Sequence, residues 1–421
     1  MVWPPGTVKV SDGLNFVCSP KQFDVGSAGN KPCDRITINH IFSDNHNWEV
    51  YEFKHRSELR DVEVKEVRKM LECGKKGFKL FRCPNCGEEK VIPFGCNSRI
   101  CTHCGKVFTD KWADQIARKT FDVEHRHIVL TIQDELRPFF KADRKLLKVL
   151  MDCAILTIAQ VMKWELGKEV TPGVIAVLHT YGKDMKWNPH VHALVTEGGF
   201  KQNGEWVDVN HFPFRMLRRS WQYHLLTDLK KHIEDTPENR RLIHRLFQEY
   251  PEGFYVRAKD TINNKKGMVK YIGRYIRHPA IAESRIDGYD GERVTFWYLD
   301  DDGNKHHVTM GVEEFITAVI GHIPDPQFKT IRHYGIYARG KRRFFRKLLG
   351  VVSMIQRKLT CQRWSWAPNC PNCGTKMEFV CSSGMLGRLD RPPPEFEPVK
   401  EPRFGEKITD WDYITSSSIY R

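Results

Sequence analysis

The 421-residue chain lacks several features that would place it in common classes. It has no run of about 18 apolar residues, which excludes a membrane-spanning helix. Its opening segment, MVWPPGTVKV, has no charged stretch leading into an apolar one, so no export signal is read there and a soluble, cytoplasmic protein is expected. No GxxxxGK[ST] segment occurs, so the chain carries no phosphate-binding loop of a helicase, and any separation of nucleic-acid strands is left to host helicase or replication machinery. Repeats of the solenoid kind are absent as well. Acidic residues are in deficit: 52 against 67 lysines and arginines, a formal charge of +15. The excess includes a cluster at Arg339, Lys341, Arg342, Arg343, Arg346 and Lys347. That balance favours a polyanionic partner, most simply nucleic acid, and with it association with the nucleoid.

What is present suits a folded protein of more than one domain. Hydrophobic residues make up 40% and aromatics 11%, enough to bury a substantial core. HRHIVLTIQ (125–133) reads as a strand, and the segment from Lys141 to Gly167 as a long amphipathic helix through Leu147, Leu150, Ala154 and Val161. GVIAVLHTYG and PHVHALVTEGG read as two strands of a hairpin around KDMKWN. Residues 213–250 read as helical, GFYVRAKD as a short strand, NNKKGMVKYIGRYIRH as a helix, RVTFWYLDDDGNKHHVTM as a hairpin and GVEEFITAVIGHI as a helix. FTDKWADQIARKT reads as a helix closing a Cys-rich block. The boundaries expected are an unassigned segment 1–65, a zinc-binding, DNA-binding module 66–120, a main domain 121–350 with a helical insertion near 205–250, a second Cys cluster 351–385 that could form a zinc ribbon, and a charged, Pro-rich tail 386–421.

Thirteen cysteines bunched in CxxC pairs, in a chain this long, read as metal ligands rather than disulfides. Cys83 and Cys86 form one knuckle and Cys101 and Cys104 another, with 14 residues between them. Four thiolates suit tetrahedral Zn2+, and the expectation is one structural ion held by these four. Cys73, Cys96 and His103 are spare candidates. CPNCG at 370–374 supplies Cys370 and Cys373 as further zinc candidates near Cys361 and Cys381.

Two further motifs point to chemistry. His190 and His192, two apart on an apolar strand, project from one face and could hold a divalent ion with positions open to phosphate oxygens. His179, on the preceding strand, could supply a third ligand, as could Gln133 or Glu197. Tyr271 and Tyr275 lie four apart on the expected helix 263–278. A tyrosine phenolate can attack phosphorus and later leave, provided a cation such as Lys270, Arg274 or a metal lowers its pKa from about 10. Taken singly, each of these pairs is more often an ordinary core or surface feature.

In chain order, HIVLTIQDELRPFF, GVIAVLHTYGKDMKWNPHVHALVTEGG and MVKYIGRYIRHPAIAESRI closely resemble the two-tyrosine HUH rolling-circle transposases of the insertion sequence 91 type, which also begin with a Cys-rich zinc module. The likeness covers about 66–375 and extends to GHIPDPQFKTIRHYGIYA and the late CPNCG. It implies an α+β fold: an HUH endonuclease domain, an antiparallel sheet flanked by helices, after a small zinc-ribbon module. It also implies His190 and His192 as ligands of Mg2+ or Mn2+, and Tyr271 and Tyr275 as nucleophiles that nick one DNA strand and hold its 5′ phosphate. Single-stranded or hairpin DNA at transposon ends is the implied substrate, and the basic residues Lys270, Arg274, Arg342 and Arg343 are expected from their charge to contact it. Related replication initiators place a carboxylate on the strand before the HxH pair, where this chain has His179. The alternatives are an HUH replication initiator or relaxase, and a zinc-ribbon DNA-binding protein without catalysis.

Overall fold

Apolar residues at every second position build the central sheet, and apolar residues at intervals of three and four build the helices that cover it. The computed structural model describes residues 8–9, 15–16, 36–106, 108–109, 120–121, 123–209, 212–262, 279–300, 302–338 and 367–384. In chain order these form helices α1 (Ile38–Ser43), α2 (Asn47–Lys54) and α3 (Asp61–Leu71), and strands β1 (Gly77–Arg82) and β2 (Glu89–Pro93). There follow β3 (His125–Thr131), α4 (Arg137–Ala142), α5 (Leu146–Leu166), β4 (Thr171–Tyr181), β5 (Trp187–Phe200), β6 (Trp206–Asp208), α6 (Phe214–Leu229), α7 (Pro237–Glu249) and β7 (Val256–Ile262). The last are β8 (Ile286–Tyr289), β9 (Arg293–Leu299), β10 (Lys305–Gly311), α8 (Val312–Ile320), β11 (Ile331–Gly335) and β12 (Glu378–Gly384). The helices expected over 263–278 and most of 108–120 lie outside the described residues.

The chain divides into two compact units, Met1–Lys76 with Pro93–Trp366, and Gly77–Ile92 with Ala367–Arg421. The larger unit carries a sheet in the order β11-β4-β5-β3-β7, with β6 added to β5, and every pairing antiparallel. One face of the sheet is apolar: Val174, Ala176, Leu178, Val191, Ala193 and Val195 pack with Leu150, Ala154, Ile158, Trp221 and Leu225 of α5 and α6. The heptad-like spacing along α5 explains that burial, and the helix stops where Gly167 turns left-handed at φ 63°. Trp221 Nε1 donates to the Thr131 carbonyl at 2.7 Å, tying α6 to the end of β3.

A second core of the same unit joins α1–α3 to the β8-β9-β10 sheet and α8, through Phe42, Trp48, Val67 and Met70 with Val294, Phe296, Phe315 and Val319. The hairpin expected over 293–310 is present as β9 and β10. Among the described residues the smaller unit holds a three-stranded sheet, β12-β1-β2, around Phe81 and Met377. It combines residues on either side of the main sheet's sequence.

His322, just beyond α8, shows how burial couples the fold to pH. Its Nε2–H donates to the Met185 carbonyl at 2.9 Å, Thr180 Oγ1 lies 3.1 Å from Nδ1, and the ring stacks on Trp187. Desolvation pushes its pKa from 6.5 down to about 4, a shift the Met185 bond opposes and Arg144 and Lys141 reinforce. With the folded value depressed, the unfolded chain takes up this proton first as pH falls. The contribution is therefore whole above pH 6.5 and lost between there and about 4. At roughly 1.4 kcal/mol per pH unit at most, chemical denaturation at pH 7 and pH 5 should differ by about 2 kcal/mol from this group. His322→Gln should flatten that difference. A variant with the parent's pH dependence would rule His322 out as its source.

Candidate functional site

The opposite face of the central sheet carries histidines. Because β5 alternates, Val191, Ala193 and Val195 point to the helices while His190, His192 and Leu194 point away. Pairing of β4 with β5 sets His179 across from His190 and Val177 across from His192. The three imidazoles thereby converge, with one ligand nitrogen from each within 4.8 Å of the others.

Their hydrogen bonds fix which nitrogens face the cluster. His190 Nδ1 lies 2.8 Å from the Asn188 carbonyl, which can only accept, so Nδ1 carries the proton and Nε2 is a bare lone pair. His192 Nε2 stands 3.0 Å from His190 Nε2. Two lone pairs at that distance repel unless a proton or a cation lies between them. Bonds of about 2.1 Å meeting at about 90° on a divalent ion would separate two nitrogens by about 3.0 Å, so the spacing fits a shared metal. Burial lowers the pKa of His190, helped by Arg137 and opposed by the Asn188 bond. It is thus kept in the neutral form a metal requires.

His127, on β3, was not singled out from the sequence. Its Nε2 lies 2.9 Å from His192 Nδ1 and the two rings stack, 5.2 Å apart at 12°. If His192 binds metal through Nε2, its Nδ1 carries the proton and donates to His127. This is the outer partner that ligating histidines commonly have. The signal was a second alternation, His125-Arg126-His127, in the strand paired with β5.

Of the other candidates for a third ligand, Glu197 falls in step with Val191, Ala193 and Val195 on the helix side. It accepts there from Arg126 Nε at 2.7 Å and Thr261 Oγ1 at 2.8 Å. Gln133 precedes the short 3-10 turn Asp134–Leu136, its carbonyl accepting from Leu136 N. Tyr271, Tyr275, Lys270, Arg274, Arg342 and Arg343 lie outside the described residues.

The cysteines group differently from the expectation. Cys83 and Cys86 do not share a cluster with Cys101 and Cys104. The fold assembles Cys73, Cys96, Cys101 and Cys104 in the larger unit, and Cys83, Cys86, Cys370 and Cys373 in the smaller. The physical reason is strand pairing: β1 and β2 carry the first knuckle into a sheet with β12, whereas the second knuckle follows the turn over Ser98 that α3 holds. Ser98 Oγ donates to the Glu66 carbonyl at 2.7 Å, and Arg99 N to the Glu66 carboxylate at 2.8 Å. In the larger-unit cluster Sγ atoms stand 3.6–3.7 Å apart. Zn–S bonds of about 2.3 Å in a tetrahedron would give about 3.8 Å. Gly95 makes room there, since a Cβ on it would meet Cys104 Sγ at 2.7 Å. His103 is exposed and outside the cluster.

Residues 173–343 match the family described as "Putative transposase". Residues 45–132 match the "Transposase zinc-binding domain" of the insertion sequence 91 type. The transposase for insertion sequence element IS801 of Pseudomonas savastanoi pv. phaseolicola is 32% identical over 299 residues, 66% of this chain and 71% of that protein. "Putative transposase y4qJ" of Sinorhizobium fredii (strain NBRC 101917 / NGR234) is 27% identical over 294 residues, 64% of this chain and 73% of that protein. No solved structure matches. No helix among the described residues is long and apolar enough to cross a membrane. With an antiparallel sheet flanked by helices and a cysteine cluster inside the zinc-domain match, the chain belongs to the insertion sequence 91 type of transposases, enzymes that cut and transfer DNA strands and carry an N-terminal zinc-binding domain.

Proposed function

We propose that this transposase nicks and rejoins single-stranded DNA at the ends of its insertion sequence through a covalent 5′-phosphotyrosine. His179, His190 and His192 hold a divalent ion, and Tyr271 and Tyr275 are the nucleophiles. The convergence of the three imidazoles carries the reading. They lie in the stretch 173–343 matched by the transposase family, and both tyrosines lie in it too.

A tyrosine phenolate oxygen attacks phosphorus in line. The P–O bond to the 3′ oxygen breaks, and that oxygen leaves as a 3′ hydroxyl after taking a proton. Rejoining is the reverse, with a 3′ hydroxyl displacing the tyrosine. When bound, a divalent ion supplies positive charge to the non-bridging oxygens as the phosphorus becomes five-coordinate. Lys270 and Arg274, beside the tyrosines in sequence, favour the phenolate. Two nucleophiles permit two successive transfers by one chain. Three nitrogen donors tilt the preference from Mg2+ toward Mn2+. Net charge of +15 suits a DNA partner held largely through phosphates, with affinity falling steeply as salt rises.

The test is incubation with labelled single strands from the flanks of the gene, with Mn2+ or EDTA, and denaturing electrophoresis. A metal-dependent covalent adduct is expected, absent from the Tyr271→Phe, Tyr275→Phe double variant. Tight binding with no adduct on any strand would move the reading to a non-catalytic DNA-binding protein. Nicking of a supercoiled plasmid origin, with no adduct on the flanking strands, would point to a replication initiator or relaxase.

A second prediction concerns His127. His127→Ala should weaken Mn2+ binding about 10–100-fold, seen as a higher metal concentration for half-maximal adduct formation, with much of the rate recovered at saturating metal. In His127→Gln the amide oxygen can still accept from His192 Nδ1–H, so part of that affinity should return. An unchanged metal requirement in the alanine variant would show that His127 does not orient His192.

A further inference from the structure

We propose that the smaller unit is a second structural zinc site, a ribbon whose two halves bracket the transposase stretch, so that the full chain holds two zinc ions. The zinc-binding domain match ends at residue 132 and so cannot account for Cys370 and Cys373. The two knuckles are the same pentapeptide, Cys83-Pro84-Asn85-Cys86-Gly87 and Cys370-Pro371-Asn372-Cys373-Gly374.

They also fold alike. Gly87 N donates to the Cys83 carbonyl and Gly374 N to the Cys370 carbonyl, both at 3.0 Å. Cys83 N donates to the Glu88 carbonyl and Cys370 N to the Thr375 carbonyl, both at 2.8 Å. Each glycine takes a left-handed conformation, φ 73° and 72°, which turns the chain back after the second sulfur. The result is a pair of matched turns, each presenting two sulfurs to the other.

Sulfur positions agree with a tetrahedral ion. Cys83 Sγ lies 3.4 Å from Cys373 Sγ, and Cys86 Sγ lies 3.5 Å from Cys370 Sγ and 3.7 Å from Cys373 Sγ. All four fall within 4.8 Å of one another. Four sulfurs leave no position open for a reactant, so the role is structural. The unit needs such a device. Its described core consists of Phe81, Cys83, Cys370 and Met377, with Ile92, Ala367 and Phe379 partly buried around them. Few apolar side chains of that size hold a small domain together without a staple.

Because Cys86 and Cys370 are 284 residues apart, one ion would close a loop that contains the entire main sheet. Residues 77–92 then reach their native pairing with β12 only once the chain has been made as far as Gly384.

Zinc content of the purified full chain, by mass spectrometry of the released metal, tests this. Two ions per chain are expected. Cys83→Ser, Cys86→Ser and Cys370→Ser, Cys373→Ser should each leave one, and the quadruple variant should still hold one, because all four thiols serve the same ion. A Cys370→Ser, Cys373→Ser protein that keeps the parent's zinc would overturn the proposal. So would a parent with one ion that depends on Cys83, Cys86, Cys101 and Cys104 together. Should the variants fold poorly, the unaltered protein can be pulsed with N-ethylmaleimide during a chelator titration and mapped by peptide mass spectrometry. Cys83, Cys86, Cys370 and Cys373 should then become reactive together, at one midpoint. Reaction of Cys370 and Cys373 before chelator is added, while Cys83 and Cys86 remain protected, would refute a shared ion.

Discussion

The register of β4 on β5 is the constraint on which the histidine site depends. Strand side chains alternate, so sliding β5 by one residue would exchange Val191, Ala193 and Val195 for His190, His192 and Leu194 under α5 and α6. Each valine withdrawn from the core would cost roughly 1.5–3 kcal/mol, before any penalty for burying imidazoles. Apolar burial on one face thus determines where polar groups stand on the other. The edge strand β11 locks the pairing further. Gly335 sits at φ 57°, and a Cβ there would stand 1.7 Å from the Pro172 carbonyl oxygen. Only glycine lets that strand approach β4 closely enough for the Ile336 N–H to reach the same oxygen at 3.1 Å.

The cysteine clusters do a different job from the sheet. Where apolar residues are plentiful, as along α5, packing alone holds the fold. The cysteines gather at the thin places: the turn after α3, and the small sheet β12-β1-β2. A knuckle needs only two sulfurs and a glycine turn. Two such pairs of sulfurs sharing a zinc ion would stabilise segments too short to bury a hydrophobic face.

Much of the sheet could be read from residue order. β3, β4, β5 and the β9-β10 hairpin stand close to where alternation places them, as do α5 and α8. α1–α3 could not be read, because their apolar residues Ile41, Phe42, Trp48 and Met70 are few and mixed with polar ones that face solvent. The pairing of cysteines followed nearness in sequence and so joined Cys83 and Cys86 to the knuckle 14 residues on. Identity of the two CPNCG turns was the better signal, since matched turns present matched sulfurs, and chain separation of 284 residues is no obstacle to contact once the intervening chain is folded. His127 escaped because its contact is with His192 Nδ1 across the sheet, and the alternation His125-Arg126-His127 gains meaning only once β3 is paired with β5.

The composition of the histidine site carries a further consequence for the proposed chemistry. Among the described residues its three candidate donors are all imidazoles, and the carboxylate on β5, Glu197, points to the helix face and is already paired with Arg126. Three neutral donors leave a divalent ion its full charge, in a half-buried place where burial already disfavours a protonated His190. A carboxylate ligand would cancel part of that charge permanently. Without one, more of that charge is left for the DNA phosphate to compensate, so metal and DNA should each bind more tightly in the presence of the other. A metal held there would bind more tightly with a phosphodiester in place than without one, which would tie the reactive arrangement to the bound strand.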